Sequence, residues 1–456
     1  MKSVLLFAHQ ESKTEMAASS LIFFLYIVLL LTWGAVALPL LFAASWDKAA
    51  TGDLCPTDCL RKRSISTGHF KQQFSNPNEV LAVLLLLGGD VVRKAVAQLT
   101  GGPHATFTPV VFSFGWVSYA ITLVANSLGD GTFLPKPDQP SLVITIGSAD
   151  VRQNKSWRLG RLIRDLELEV SRHHPSTHED SGLMITVYEV DAGKYTPLKP
   201  KKDWVWLSCI VILLFQLFIS AIPWIWSVFG EERDWSIFLI TACGNALAVL
   251  TASISGLRKG EVGARKHSRS SYAITRGNGS NQVFIIKPDS YEQNVQDGET
   301  TNVSKLPYLQ DIATISHPAQ PSIRILYCVL ALFWIALLVA TGGLQHHTWF
   351  LFFTGILGIS HNILVSEVFR KPEAHGFPLR LFKKNDQPLR FGYNESKGRR
   401  PGVTQVLLEL EAEIPGAGHA LRRVFFTGWE TKKDKELWGA EAVSFSRLQN
   451  QEGVYV

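Results

Sequence analysis

The sequence predicts an α-helical polytopic membrane protein with a small α+β module on its cytosolic side. Three observations predict it. Six apolar runs, at 17–44, 107–128, 204–229, 235–255, 323–341 and 348–369, come close to or exceed the roughly 20 residues a helix needs to cross a bilayer. Between them, 129–202, 257–322 and 370–456 mix short β-branched runs with amphipathic stretches. Those three segments carry 34 Lys and Arg residues, whereas the opposite links 230–234 and 342–347 carry only Arg233. Positive residues are retained on the cytosolic side of a bilayer, so the three segments are expected there.

Composition agrees with a bundle that has soluble parts. Of 456 residues, 46% are hydrophobic and 18% charged, and mean hydropathy is +0.11. The net charge of +6 is spread over loops, so it reads as topological and implies no nucleic-acid partner. Cys209, Cys243 and Cys328 lie in apolar runs, where a lone thiol packs as a small apolar group, and no disulfide framework is implied.

Residues 1–16 form a short polar tail ahead of the first run. That run, 17–44, exceeds the 7–15 residues of a signal-peptide core and is expected to be a retained helix. The loop that follows holds Cys55, Cys59 and His69. Its C-x3-C spacing differs from that of zinc ribbons, and no fourth ligand is apparent.

Residues 79–99 form a marginal seventh span. Val80 to Leu87 is wholly apolar, but Asp90, Arg93 and Lys94 follow. Each such charge costs about 2.5–3.5 kcal/mol at a helix centre. Asp90 and Lys94 are spaced for an i,i+4 pair. If 79–99 spans, the Arg61-Lys62-Arg63 loop is cytosolic and the N-terminus outside; if not, the two swap.

The N-terminal membrane part thus covers 17–128, and the transmembrane hairpins cover 203–256 and 323–369. Segment 129–202 reads β-α-β, with strands at 141–146 and 183–190. Leu159, Leu162, Ile163, Leu166 and Val170 mark one helix face between them. In 257–322, Tyr272–Thr275 and Val283–Ile286 flank an Asn-Gly turn and predict a hairpin. Residues 370–456 predict a strand at 379–382 and helices at 403–414 and 419–426. The hairpin and the 379–382 strand are expected to extend one joint sheet, because a lone hairpin is marginal in water.

Several stretches together carry a family likeness: Phe112–Ala120, Ser156–Asp165, Asp203–Leu207, Leu213–Pro223 and Thr275–Gly279. Over about 78–430 the chain resembles a functionally uncharacterised group of multi-spanning integral membrane proteins of filamentous fungi. The resemblance implies this order of spans and segments and carries over no catalytic residue.

Candidate site residues are the polar groups inside the spans. Asp90, Gln216, Asn245, His361 and Asn362 fall in a band about 12–18 Å from the predicted cytosolic ends of their helices. Intramembrane ionisable groups suggest a relay or transport path. The plainer alternative is helix-helix hydrogen bonding. Ser268, Ser270 and Ser271 sit in a basic juxtamembrane run and are candidate phosphorylation sites for an electrostatic switch against anionic lipid. The Thr275-Arg-Gly-Asn-Gly stretch lacks the spacing of a phosphate loop. No H-E-x-x-H or G-x-S-x-G motif is present, so no enzyme, cofactor or metal is expected. The expected function is a non-enzymatic scaffold, sensor or receptor-like component, in contact with the lipid bilayer and with cytosolic protein partners. A transporter or channel using the polar band is the first alternative, and a membrane enzyme, which no motif supports, is the last.

Overall fold

The computed structural model describes residues 83–84, 86–100, 107–129, 133–173, 182–191, 199–227, 235–254, 265, 268–288, 292–294, 300–302, 306–314, 321–344, 346–392, 402–426, 431–432 and 434–439. The expected span at 17–44 and the Cys55–His69 loop lie outside them. In chain order the elements begin with α1 (Gly89–Leu99) and α2 (Trp116–Leu128). Then come β1 (Leu142–Thr145), β2 (Val151–Gln153), α3 (Trp157–His173) and β3 (Met184–Val190). The first long hairpin is α4 (Trp204–Ser227) and α5 (Ser236–Ser253). It leads to β4 (Tyr272–Thr275), β5 (Gln282–Lys287), the small pair β6 (Glu292–Asn294) and β7 (Thr300–Asn302), and α6 (Leu309–Thr314). The second long hairpin is α7 (Pro321–Gly342) and α8 (Thr348–Glu367). After it come β8 (Leu379–Leu381), β9 (Lys383–Lys384), β10 (Gln387–Pro388), β11 (Arg390–Phe391), α9 (Val403–Glu413) and α10 (Ala417–Phe425).

Among the described residues, four helices are long and apolar enough to cross a membrane: α4, α5, α7 and α8. They match four of the six expected spans and make this a membrane protein. Leu207, Val211, Leu214 and Phe218 on α4, and Leu332, Phe333 and Val339 on α7, stay exposed, as lipid-facing positions should.

The expected span at 107–128 is a correction. Only 116–128 is helical, and 13 residues rise about 20 Å, short of the roughly 30 Å hydrocarbon core. Residues 107–115 form no helix. Pro109 supplies no N–H, and Gly115 holds a left-handed φ of 94° that ends the arm and starts α2. The marginal span at 79–99 is interrupted: Val83, Leu84 and Leu86 are helical, the chain breaks at Gly88 with φ 83°, and α1 begins at Gly89.

The three inter-helix segments build one seven-stranded sheet. Its order is β11-β3-β5-β4-β1-β2, with β8 also paired to β3. Strand β3 runs parallel to β5 between Met184↔Gln282 and Glu189↔Lys287, and the predicted Asn-Gly hairpin is β4–β5. Because 129–202, 257–322 and 370–456 all contribute strands, all three lie on one side of the bundle. Strands β1 and β3 do not touch. The hairpin sits between them, delivered by the 204–253 pair of helices. The sheet is covered on both faces. The face of α3 predicted from its apolar spacing, with α6, packs on Val143, Tyr188, Ile274 and Phe284. Helices α9 and α10, with Trp438, pack on Ile144, Ile185, Val187 and Ile285. Strand β2, whose residues are all exposed, was not legible as a strand.

Candidate functional site

Residues 107–115 enter the bundle as an arm. Phe107 stacks edge-on against Trp206 at the module end of α4, and the Thr108 N–H donates to Ser253 Oγ at the module end of α5. Asn245, which meets Phe112, lies eight residues further along α5, about 12 Å up the bundle. At Gly115 the chain turns, and α2 runs back. Trp116 stacks on Trp334 in the middle of α7, and Phe133, just past α2, meets Tyr327 near the module end of α7. Arm and helix together are re-entrant: they enter and leave on the module side.

Irregular backbone at membrane depth must find partners inside the protein, because hydrocarbon offers none. Here three of the predicted polar residues supply them. Asn245 Oδ1 accepts from the Phe112 N–H at 3.1 Å. Gln216 Nε2 donates to Phe112 O and to Thr354 O, both at 2.8 Å. Asn362 Nδ2 donates to Ser113 Oγ at 2.8 Å and to Val111 O at 3.3 Å, and Trp116 Nε1 also reaches Val111 O at 3.0 Å. All three amides are buried, and Gln216 and Asn362 completely so. Small residues admit the arm. The Phe112 ring lies over Gly244 and the Phe114 ring over Gly355, while a Cβ at Gly358 would overlap Phe112 O. The opposite halves of the amides, Gln216 Oε1, Asn245 Nδ2 and Asn362 Oδ1, are buried and have no hydrogen-bond partner among the described residues.

The other two band residues stand apart from this cluster. His361 is buried on α8, its Nε2 3.0 Å from Ser208 Oγ. Asp90 is exposed on α1, and among the described residues no hydrogen bond or ion pair joins it to His361. The expected Asp90–Lys94 pair does not form either. Lys94 points to Asp138 at 3.6 Å and Glu367 at 3.8 Å.

The phosphorylation candidates are corrected in part. Ser268 is fully buried, its hydroxyl 2.7 Å from Tyr272 Oη, so it is closed to a kinase. Ser270 and Ser271 are half-buried.

Sequence reasoning missed a second polar cluster, at the junction of bundle and module. Arg370, just past α8, makes a two-pronged pair with Asp203 at 2.7 and 2.9 Å, and its guanidinium also bonds Gln98 O at the end of α1. Asp165 of α3 is wholly buried. It accepts from the Arg370 N–H at 3.1 Å and from Arg164 Nε at 2.9 Å, and lies 2.7 Å from His375 Nε2. Asp203 also caps α4, accepting from the Trp206 N–H at 3.1 Å. Nearby, Arg158 donates to Thr100 O at 3.2 Å, and the buried Arg161 pairs with Asp138 at 3.0 Å. Burial holds the His375 imidazole below its usual pKa, against the pull of Asp165. A visible signal existed in the Arg-rich start of α3, where Arg158, Arg161 and Arg164 precede Asp165, with an Arg directly after a span.

Comparison of the chain with protein-family models, curated proteins and solved structures found no match.

Proposed function

We propose that the bundle is a rigid membrane tether for the α/β module, and that the module is an interaction domain of a scaffold, sensor or receptor-like protein. One observation carries this reading. The sheet is assembled from all three inter-helix segments, and the Asp165–Arg370–Asp203 cluster pins its helix α3 to the ends of α1, α4 and α8. Such a module follows any tilt of the helices as one body. The excess of Lys and Arg supports a cytosolic module. So does Asn154, the first of four glycosylation sequons in these segments. Its side chain is buried, donates to Ser141 Oγ at 3.0 Å, and has no room for a glycan. The test is a photo-crosslinking residue at Leu168 or Arg269, both exposed on the module, in intact membranes. Discrete protein adducts are expected. Lipid or self adducts alone would sink the reading.

A transport reading keeps one favourable observation, the re-entrant arm, since broken helices at mid-membrane line many substrate paths. Against it, the arm is buried from Thr108 to Gly115, packed against Trp334, Gly244 and Gly355 and bonded by the three amides. Solute flux in reconstituted vesicles that is lost in Gln216→Leu would revive it.

A further inference from the structure

On the face of the sheet opposite α3, the β1–β2 turn and α10 border a groove of about 570 Å³. Its walls are Gly147–Ala149, His419, Arg422, Arg423, Phe426 and Lys435. The volume falls within the roughly 300–1,000 Å³ of small-ligand pockets. Its charge is one-sided. Of the carboxylates next to its lining residues, Glu436 is exposed and three others are engaged. Glu411 accepts from the Gly416 and His419 N–H groups at 2.6 and 3.1 Å, so the start of α10 is not open to an anion. Asp150 is held by Arg152 at 3.0 Å and Gln310 at 3.2 Å, and Asp434 by Thr404 at 2.7 Å. Arg422 lies over the Trp438 ring, 5.0 Å from its centre, which keeps the guanidinium beside the groove. Arg423 and Lys435 have no ion-pair partner among the described residues. The turn adds backbone polarity. Gly147 and Ala149 hold φ of 101° and 53°, and among the described residues no backbone acceptor takes the N–H of Gly147 or Ser148. Successive free amides in such turns make anion-binding hollows. Phe426 and Ala420 give an apolar wall beside the cations.

We propose that this groove binds a phosphoryl group, with Arg423 and Lys435 as its charged ligands and Arg422 as a planar clamp. The proposal is independent of the tether reading, because it needs only the folded module. The experiment uses the full chain in nanodiscs of neutral lipid at about 0.15 M salt. Pyrophosphate and a phosphoserine peptide are titrated separately by calorimetry. Saturable binding of either probe is expected. Pyrophosphate alone would assign a soluble phosphorylated compound, and the peptide alone a phosphorylated protein. Arg423→Glu with Lys435→Glu should weaken binding about tenfold or more, while Lys383→Glu, an exposed cation of the β9–β10 hairpin, should not. Both groove side chains are exposed, so folding is retained, which thermal unfolding of the variant checks. No saturable binding of either probe, or equal affinity in the double variant, overturns the proposal.

Discussion

At mid-bundle the arm is fastened by neutral amides; at the junction, α3 is fastened by ions. Gln216, Asn245 and Asn362 hold the arm through hydrogen bonds to its backbone, with no charge involved. The junction uses Arg370, Asp203, Asp165 and Arg164. The difference follows depth. A charge at a bilayer centre costs about 2.5–3.5 kcal/mol even by the mildest scale, whereas an amide brings both a donor and an acceptor and no ionic solvation to lose. At the junction one edge of the network reaches water, since the Asp203 side chain is 19% exposed and that of Glu367 56%. Ions there keep part of their solvation and gain the geometric specificity of a two-pronged Arg–carboxylate pair.

The comparison breaks most visibly at Arg370. Arg370→Ala leaves Asp203 and the Gln98 carbonyl without their buried cation. Removing one partner of a buried pair costs about 3–5 kcal/mol. The module should then become susceptible to protease at 199–203 and 368–372 while α4, α5, α7 and α8 remain folded. Limited proteolysis in detergent, read by mass, checks this. Cuts at those two places no faster than in wild type would show that the ions do not hold the module.

The arm should be nearly as sensitive, but to shape. Gly115→Ala adds a Cβ 2.5 Å from the Gly88 carbonyl carbon, at a left-handed φ. Overpacking costs about 1–3 kcal/mol and the left-handed conformation about 1–2 more. A loss of about 3 kcal/mol, measured as thermal unfolding in detergent, is expected, without release of the module.

These two sites differ in how far the sequence announces them. Four spans were legible because 18 or more apolar residues in one run have few other uses. The hairpin was legible from Arg276-Gly-Asn-Gly, and α3 from five apolar residues at helical spacing. The arm was not, because run length alone cannot separate a span from an extended stretch followed by a half-helix. Pro109 and Gly115 were the signal, and they outweigh apolarity only once Asn245, Gln216 and Asn362 are seen to bond the backbone between them. Those amides were found by sequence as a band of equal depth; that their common target is the arm is a tertiary fact. The junction was harder to read, because its members are spread from Gln98 to His375 and only the Arg-rich start of α3 and Arg370 just after a span hinted at it.

Single amides should cost less than either. Gln216→Leu strands the Phe112 carbonyl in the bundle, a penalty of about 1–3 kcal/mol. Gln216→Glu should be worse than Gln216→Leu, because a carboxylate there brings a charge and loses the donor. The reverse ranking in thermal unfolding would mean that water or an ion reaches the arm.

The junction has a pH dependence that the arm lacks. His375 is buried with its pKa held below the ordinary value of about 6.5. Below that pH the unfolded chain takes up a proton that the folded chain refuses. Stability is therefore unaffected above about pH 6.5 and falls as pH drops, by at most about 1.4 kcal/mol per unit for one proton. Unfolding between pH 7 and 5 should show this slope, and His375→Gln should lack that part of it. An identical slope in the variant assigns the effect to other groups.

The smallest effect is expected at the residue that looked most functional in the sequence. Asp90 was the one acid in the predicted mid-membrane band, and a proton relay would need it beside His361. It is exposed on α1 instead, and Lys94, its expected partner, faces Asp138 and Glu367. Asp90→Asn removes a charge but breaks no contact among the described residues, so stability should stay within about 0.5 kcal/mol of wild type. It should also leave the crosslinks made from Leu168 unchanged. Lys94→Met, one turn further along α1, should destabilise more than Asp90→Asn, because Lys94 faces two carboxylates at the edge of the junction. If Asp90→Asn proves the more damaging of the two, with protein abundance normal, then the exposed carboxylate has a role beyond folding, and the contrast between a neutral interior and an ionic boundary no longer describes how this bundle uses its charges.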